Sequence, residues 1–362
     1  MSHNPHDDRS VADLLTGVGA HLGAGGEDPL GLPDARRFVV VLVDGLGWDL
    51  VWRALPAAPY LAGVIGDARR VTTGLPTTTA ASLMSLWTGV APGQHGVVGY
   101  SFALDGTAPR LTTPLSLSEP LATADSVMDG LVGRGIAVSW VGPAEHLGTG
   151  LTRMGTRRAT FTGVNVTDEP ARVAAVVRAS QTGTNSLVYV YEPRLDHAGH
   201  RHGVASDEWL AALRDIDAFL EALRDGLGAD VCLLVTGDHG MVDVLPNERL
   251  VIDDTPELNR DLRLAGGEAR FRHLYTPRPA AVAARWRERL GATADIWTRC
   301  EAIEAGLFGP VAPGYADRIG DVVVVPRGGG AYLTKGFPGE FHLVGMHGAA
   351  TPAERYVPVV VD

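Results

Sequence analysis

Six uninterrupted runs of β-branched and aliphatic residues, at 37–43, 136–141, 186–191, 231–236, 321–325 and 356–361, recur along the chain. A strand with only one buried face alternates apolar and polar residues, whereas these runs do not alternate and therefore suit strands covered on both faces. Between them lie helical patterns, notably at 171–179, 207–223 and 280–290. Strand and helix taking turns in this way predict an α/β fold: a doubly wound, largely parallel central sheet with helices on both faces. With 362 residues the chain is long enough to bury such a core.

Three stretches fit the alternation poorly. Residues 1–36 are polar and rich in Gly and Pro around one short apolar helix at 11–22, which reads as an N-terminal extension packed on the outside of a domain spanning 37–362. Residues 97–125 form a Gly/Thr/Ser/Pro-rich excursion, and 244–318 hold a short strand at 269–274, one helix and several turns. Excursions of this length suggest a lid or a small inserted cap, most clearly at 244–318.

Composition removes several classes of function. No run of 18 apolar residues is present and the first residues lack the basic and apolar regions of a signal peptide, so a cytoplasmic protein without a membrane partner is expected. Cys232 and Cys300 are the only cysteines, too few for a disulfide framework or a CxxC metal site. A formal net charge of −11 disfavours a nucleic-acid partner.

Chemistry in an open α/β sheet collects beyond the carboxyl ends of the strands. This chain places acids and imidazoles there repeatedly: Asp44 after the first run, Asp196 and His200 after the third, Asp238 and His239 after the fourth, and His347 shortly before the last. Each has an ordinary explanation alone, as a turn residue or a surface pair. Together they form a set that chance placement explains poorly. A Thr run adds to it, because Pro76-Thr77-Thr78-Thr79 leads into a helical pattern that stops near Gly89. Free backbone N–H groups and the helix dipole at such a terminus favour an anion, although a simple N-cap threonine would look the same. Three carboxylates, three imidazoles and a threonine oxygen suit two divalent metal ions, with Zn2+ accepting every ligand type present. Such a pair can clamp the attacking and leaving oxygens of a phosphoryl displacement.

Asp44-Gly45, Pro76-Thr-Thr-Thr79 with Thr88-Gly89, Gln94-His-Gly96, Asp196-x-x-Gly-His200, Asp238-His-Gly-Met241 and Gly345-Met-His-Gly348 resemble the type I phosphodiesterase/nucleotide pyrophosphatase branch of the alkaline phosphatase superfamily. The resemblance runs from about residue 37 to 362. It implies that Asp44, Thr79, Asp238 and His239 hold one zinc while Asp196, His200 and His347 hold the other. Thr79 would be the nucleophile of a small-molecule phosphoester hydrolase and form a phosphothreonine intermediate, with Thr78 as its rival. His95 reads as a structural helix-end residue, and His197 and His202 as non-ligands. Two positions depart from the pattern. Ser82 stands where the resemblance implies an asparagine donor to the phosphoryl oxygen, making it a substrate-binding candidate, and Leu195 replaces a proline before the first metal aspartate. The same site admits phosphomonoester or phosphonate hydrolysis, and a degenerate site would only bind a ligand. A sulfatase would need Cys or Ser in place of Thr79. A dinucleotide fold would need a third glycine where Leu50 stands.

Overall fold

The computed structural model describes residues 9–106, 110–121 and 123–362. The strands of its two larger sheets are, in chain order, β1 (Arg37–Val43), β2 (Arg69–Thr72), β3 (Ala137–Pro143), β4 (Thr160–Val164), β5 (Ser186–Glu192), β6 (Val231–Thr236), β7 (Leu264–Glu268), β8 (Phe271–Tyr275), β9 (Ala294–Thr298), β10 (Val322–Pro326) and β11 (Tyr356–Val361). Six helices matter most for the site and its support: α1 (Ala12–His21), α2 (Thr79–Thr88), α3 (Glu169–Ser180), α4 (Arg194–His202), α5 (Asp207–Gly226) and α6 (Pro279–Leu290).

Seven strands form the central sheet in the order β2-β11-β6-β1-β5-β3-β4. The four pairings from β6 to β4 are parallel, while β11 lies antiparallel between β2 and β6. Six strands therefore share one direction and point their carboxyl ends at one edge. The continuous apolar runs are explained by double coverage: Phe38, Val40 and Leu42 join the core under α1 and α2, and Val39, Val41 and Val43 join the core under α3 and α5. The expected doubly wound, largely parallel sheet is present.

Local signals set the helices that matter. α2 starts from Thr78 in extended conformation and stops at Gly89, whose φ of 72° is the left-handed conformation that ends a helix cheaply in glycine. The long α5 is capped by the Ser206 hydroxyl, which accepts from the Trp209 N–H.

Three expectations change. The run at 321–325 is β10, a member not of the central sheet but of a four-stranded antiparallel sheet ordered β9-β10-β8-β7. A fully buried run carries no mark of which sheet it enters, and this sheet also buries both faces: Val322 and Val324 meet Trp286 of α6, while Val323 and Val325 face the main core. Phe271 and Phe308 of the 244–318 segment lie in the same core as Phe38 and Tyr189 of the central sheet. α1, expected on the outside, is likewise interior, with Leu14, Leu15 and Val18 fully buried. The chain before it pairs with β2 through the Val11 N–H to the Thr72 carbonyl at 2.8 Å. Residues 1–8 of the expected extension, and 107–109 and 122 of the expected excursion at 97–125, lie outside the described residues.

Candidate metal centre and active site

The sheet delivers the site residues to one edge. Asp44 follows β1 and donates its N–H to the Glu192 carbonyl at 2.9 Å. At Gly45 the backbone turns with φ 77°, and its N–H donates to Asp238 Oδ1 at 3.1 Å. A side chain there would be strained, and its Cβ would stand 3.2 Å from the Cα of Asp196. Asp196 sits in the first turn of α4 with His200 one turn later, Asp238 and His239 follow β6, and Thr79 is the first residue of α2. Because β11 runs against its neighbours, the loop that precedes it reaches the same edge and carries His347.

These side chains meet. Thr79 Oγ1 lies 3.2 Å from His239 Nε2 and 3.5 Å from Asp44 Oδ2. His239 Nε2 is 3.4 Å from Asp44 Oδ1 and 3.6 Å from Asp238 Oδ2. Asp196 Oδ1 is 3.4 Å from His200 Nε2 and 3.9 Å from His347 Nε2. Potential ligand atoms of Asp196, His200 and His347 lie within 4.8 Å of one another, and so do those of Asp44, Asp196 and His239. Asp196 belongs to both groups. Asp238 approaches the second through His239, whose ring stacks on that of His347 with centroids 3.7 Å apart.

The tautomers decide what this cluster can hold. Nδ1 of His200, His239 and His347 faces the backbone carbonyl of Gly345, Gly240 and Thr77 at 2.8, 3.0 and 2.9 Å. Each Nδ1 therefore donates its proton outward, leaving the Nε2 lone pair directed at the aspartates. Asp44 Oδ1, Asp196 Oδ1 and Asp238 Oδ2 are buried without a hydrogen-bond donor. Lone pairs facing lone pairs in a buried site call for cations between them, and the donor set fits divalent ions.

Electrostatics agree. Burial, then the Asp238 and Asp196 carboxylates, push the pKa of Asp44 well up, although the Tyr191 hydroxyl donates to it. Burial also raises Asp238, with His239 opposing. Burial and the neighbouring His239 and His200 drive His347 well down, which keeps its imidazole neutral.

A cavity of about 590 Å³ opens over the cluster, lined at its floor by Asp44, Thr79, Asp196, His200 and His347. Both rival threonines line the cavity, but it is the Thr79 hydroxyl that faces Asp44 and His239. Ser82 is not brought to the cavity. It is 1% exposed, its Oγ has no partner, and it is absent from the wall. Position 82 is on the same helix face as Thr79, and Leu83 beside it does line the cavity, so it is the small serine side chain that stops short of the wall.

His95 is fully buried, accepting from the Val97 N–H at 3.1 Å and bonding Ser85 Oγ at 3.0 Å, the helix-end role expected of it. His202 lies 3.8 Å from Glu208, whereas His197, expected to be no ligand, lines the cavity. Leu195 is fully buried in the first turn of α4. Glu268 was not anticipated: its Oε2 is 3.3 Å from His347 Nδ1 and its Oε1 lacks a partner. It comes from β7 of the second sheet, where no local motif marks it. His146 also lines the wall from the loop after β3, and only its place beyond a strand end could have signalled it.

The model of the type I phosphodiesterase/nucleotide pyrophosphatase family matches residues 38–350. Among solved structures, murine ectonucleotide pyrophosphatase/phosphodiesterase 5 superposes with a TM-score of 0.72 at 17% identity, covering 90% of this chain and 87% of that one. An inactive variant of that murine protein, in complex with AMP, gives 0.71 at 16% identity, with the same coverage. Phosphonoacetate hydrolase from Sinorhizobium meliloti 1021, in complex with phosphonoacetate, gives 0.68 at 20% identity, covering 91% of each chain. At these identities the likeness is one of fold.

Proposed function

The chain belongs to the type I phosphodiesterase/nucleotide pyrophosphatase family of the alkaline phosphatase superfamily, and from that premise we propose that it hydrolyses phosphodiester or pyrophosphate bonds through Thr79 with two divalent metal ions, Zn2+ by preference. One observation carries the reading: three donorless carboxylate oxygens and three imidazole lone pairs converge beside the Thr79 hydroxyl. Asp44, Asp238, His239 and Thr79 would hold one ion and Asp196, His200 and His347 the other, with Asp196 within reach of both.

When bound, such ions supply the positive charge that favours an ionised Thr79 hydroxyl and a phosphoryl oxygen at the same point. Thr79 sits at the amino end of α2, whose free N–H groups add to that field. Its oxygen attacks phosphorus, the P–O bond to the departing alcohol breaks, and that alcohol takes up a proton as Thr79 loses one. Water then attacks the phosphothreonine, the Thr79 oxygen departs and regains a proton, and the phosphate monoester leaves. The net change is diester plus water to monoester plus alcohol.

Thr79→Ala tests this. Hydrolysis of bis(p-nitrophenyl) phosphate should fall by about 10³-fold or more, while elemental analysis still finds bound metal. Undiminished turnover would remove Thr79 from the reaction. Phosphonate hydrolysis on the same centre is the second reading, favoured by the fold shared with phosphonoacetate hydrolase. Release of inorganic phosphate from phosphonoacetate measures it directly.

A further inference from the structure

The wall above the metal centre is as informative as its floor. Among the described residues lining the cavity there is no Lys or Arg, and the residues outside the described set include none. Two guanidiniums of the second sheet, Arg270 and Arg272, are wholly buried and paired with Glu354 and Glu340. His146 is held neutral because burial lowers its pKa. Glu268 adds a carboxyl group, not a cation. The remaining wall is largely apolar and aromatic: Trp87 and Trp140 form one ring pair with centroids 5.6 Å apart, Tyr100 and Phe337 another at 6.0 Å, and Leu83 and Leu151 lie among them on the same surface.

Next to the lining residues Gly336 and Thr152 in the chain, Lys335 and Arg153 are already paired with Asp254 and Glu119. Leu115, 41% exposed, lines the cavity, while Leu147 at 65% and Phe341 at 37% directly follow the lining residues His146 and Glu340. A single exposed apolar side chain means little, but half of the large exposed ones among the described residues either line this cavity or adjoin a lining residue in the chain.

Charge sets the limit. Two divalent ions against Asp44, Asp196 and Asp238 leave a formal charge of about +1 before Thr79 ionises, enough for one anionic phosphoryl group. A second anionic group on the substrate would be desolvated against a wall that offers it no Lys or Arg, which is costly.

Building on the two-metal reading above, we propose that the substrate is a monoanionic phosphodiester whose organic substituents are uncharged and apolar, in preference to one that carries a further phosphate or carboxylate. Zn2+-loaded protein is assayed on alkyl p-nitrophenyl phosphates from methyl to octyl, beside ATP and phosphonoacetate. kcat/KM should rise roughly two- to fourfold per methylene over the first additions, through KM, and exceed that for ATP and phosphonoacetate by about 10²-fold or more. Leu115→Arg/Leu147→Arg, which places cations at the mouth, should narrow the gap to ATP by about tenfold. A flat chain-length series, or faster turnover of ATP or phosphonoacetate, overturns this inference and leaves the nucleophile and metal assignments standing. Failure to cleave any diester overturns both.

Discussion

Asp196 is the residue on which the centre turns, because its carboxylate belongs to both ligand groups. Replacing it by Asn should remove both ions, whereas His200→Ala should remove one, and metal-to-protein ratios by elemental analysis distinguish the two results. Stripping the ions with a chelator exposes donorless buried oxygens to one another. An ion at about a thousand times its Kd stabilises by about 4 kcal/mol, so the chelated protein should melt several degrees lower, recovering on Zn2+ addition. Away from the centre, two buried histidines set the acid limit. Burial lowers His95 to about 3 and His273 to about 4. Both are neutral because each uses one ring nitrogen as acceptor, from Val97 and from Gly320. The unfolded chain binds protons near pH 6.5 while the folded one does not, so stability falls as pH drops below that value, by about 2 kcal/mol per histidine at pH 5. Urea midpoints in chelator at pH 7.5 and 5 measure the loss. A midpoint that does not fall would mean these imidazoles are charged in the folded protein.

The elements that deliver the proposed ligands were mostly visible beforehand, because a strand covered on both faces writes its own apolar run. The runs at 37–43, 136–141, 186–191 and 231–236 mark central strands, and the acids following three of them mark the site's edge. Long-range pairing was not visible. Nothing local tells β10 to leave the central sheet, or tells β7 to bring Glu268 beside His347. Ser82 shows the converse failure, since a position counted along a motif does not say whether the side chain there is long enough to reach the cavity. The loop carrying His347 is fixed by an ion pair equally absent from any motif: the Arg270 guanidinium, fully buried, bonds both oxygens of Glu354 at 2.7 and 2.8 Å. Glu354 also accepts from the Ala349 N–H at 3.0 Å. Arg270→Met should strand that carboxylate and cost about 3–5 kcal/mol, with loss of metal, whereas Arg270→Met combined with Glu354→Gln should recover part of the stability. Thermal melting and metal content read both.

At the scale of the whole molecule, the chain is more continuous than its sequence suggests. α1 puts Leu14, Leu15 and Val18 into the same core as α2 and the central strands. Burying side chains of this size contributes about 1.5–3 kcal/mol each, so the helix accounts for a large part of a typical net stability of about 5–15 kcal/mol. Deleting the residues up to Leu22 should therefore yield aggregated or unfolded protein; a soluble truncated protein with native circular dichroism would show that α1 is dispensable. β11 carries a consequence for biogenesis. It fills the slot between β2 and β6, strands made far earlier in translation, and the loop before it brings His347. A nascent chain on the ribosome thus carries two unzipped sheet edges, and its hydrolytic centre stays inert until the segment around 347–361 has emerged and docked.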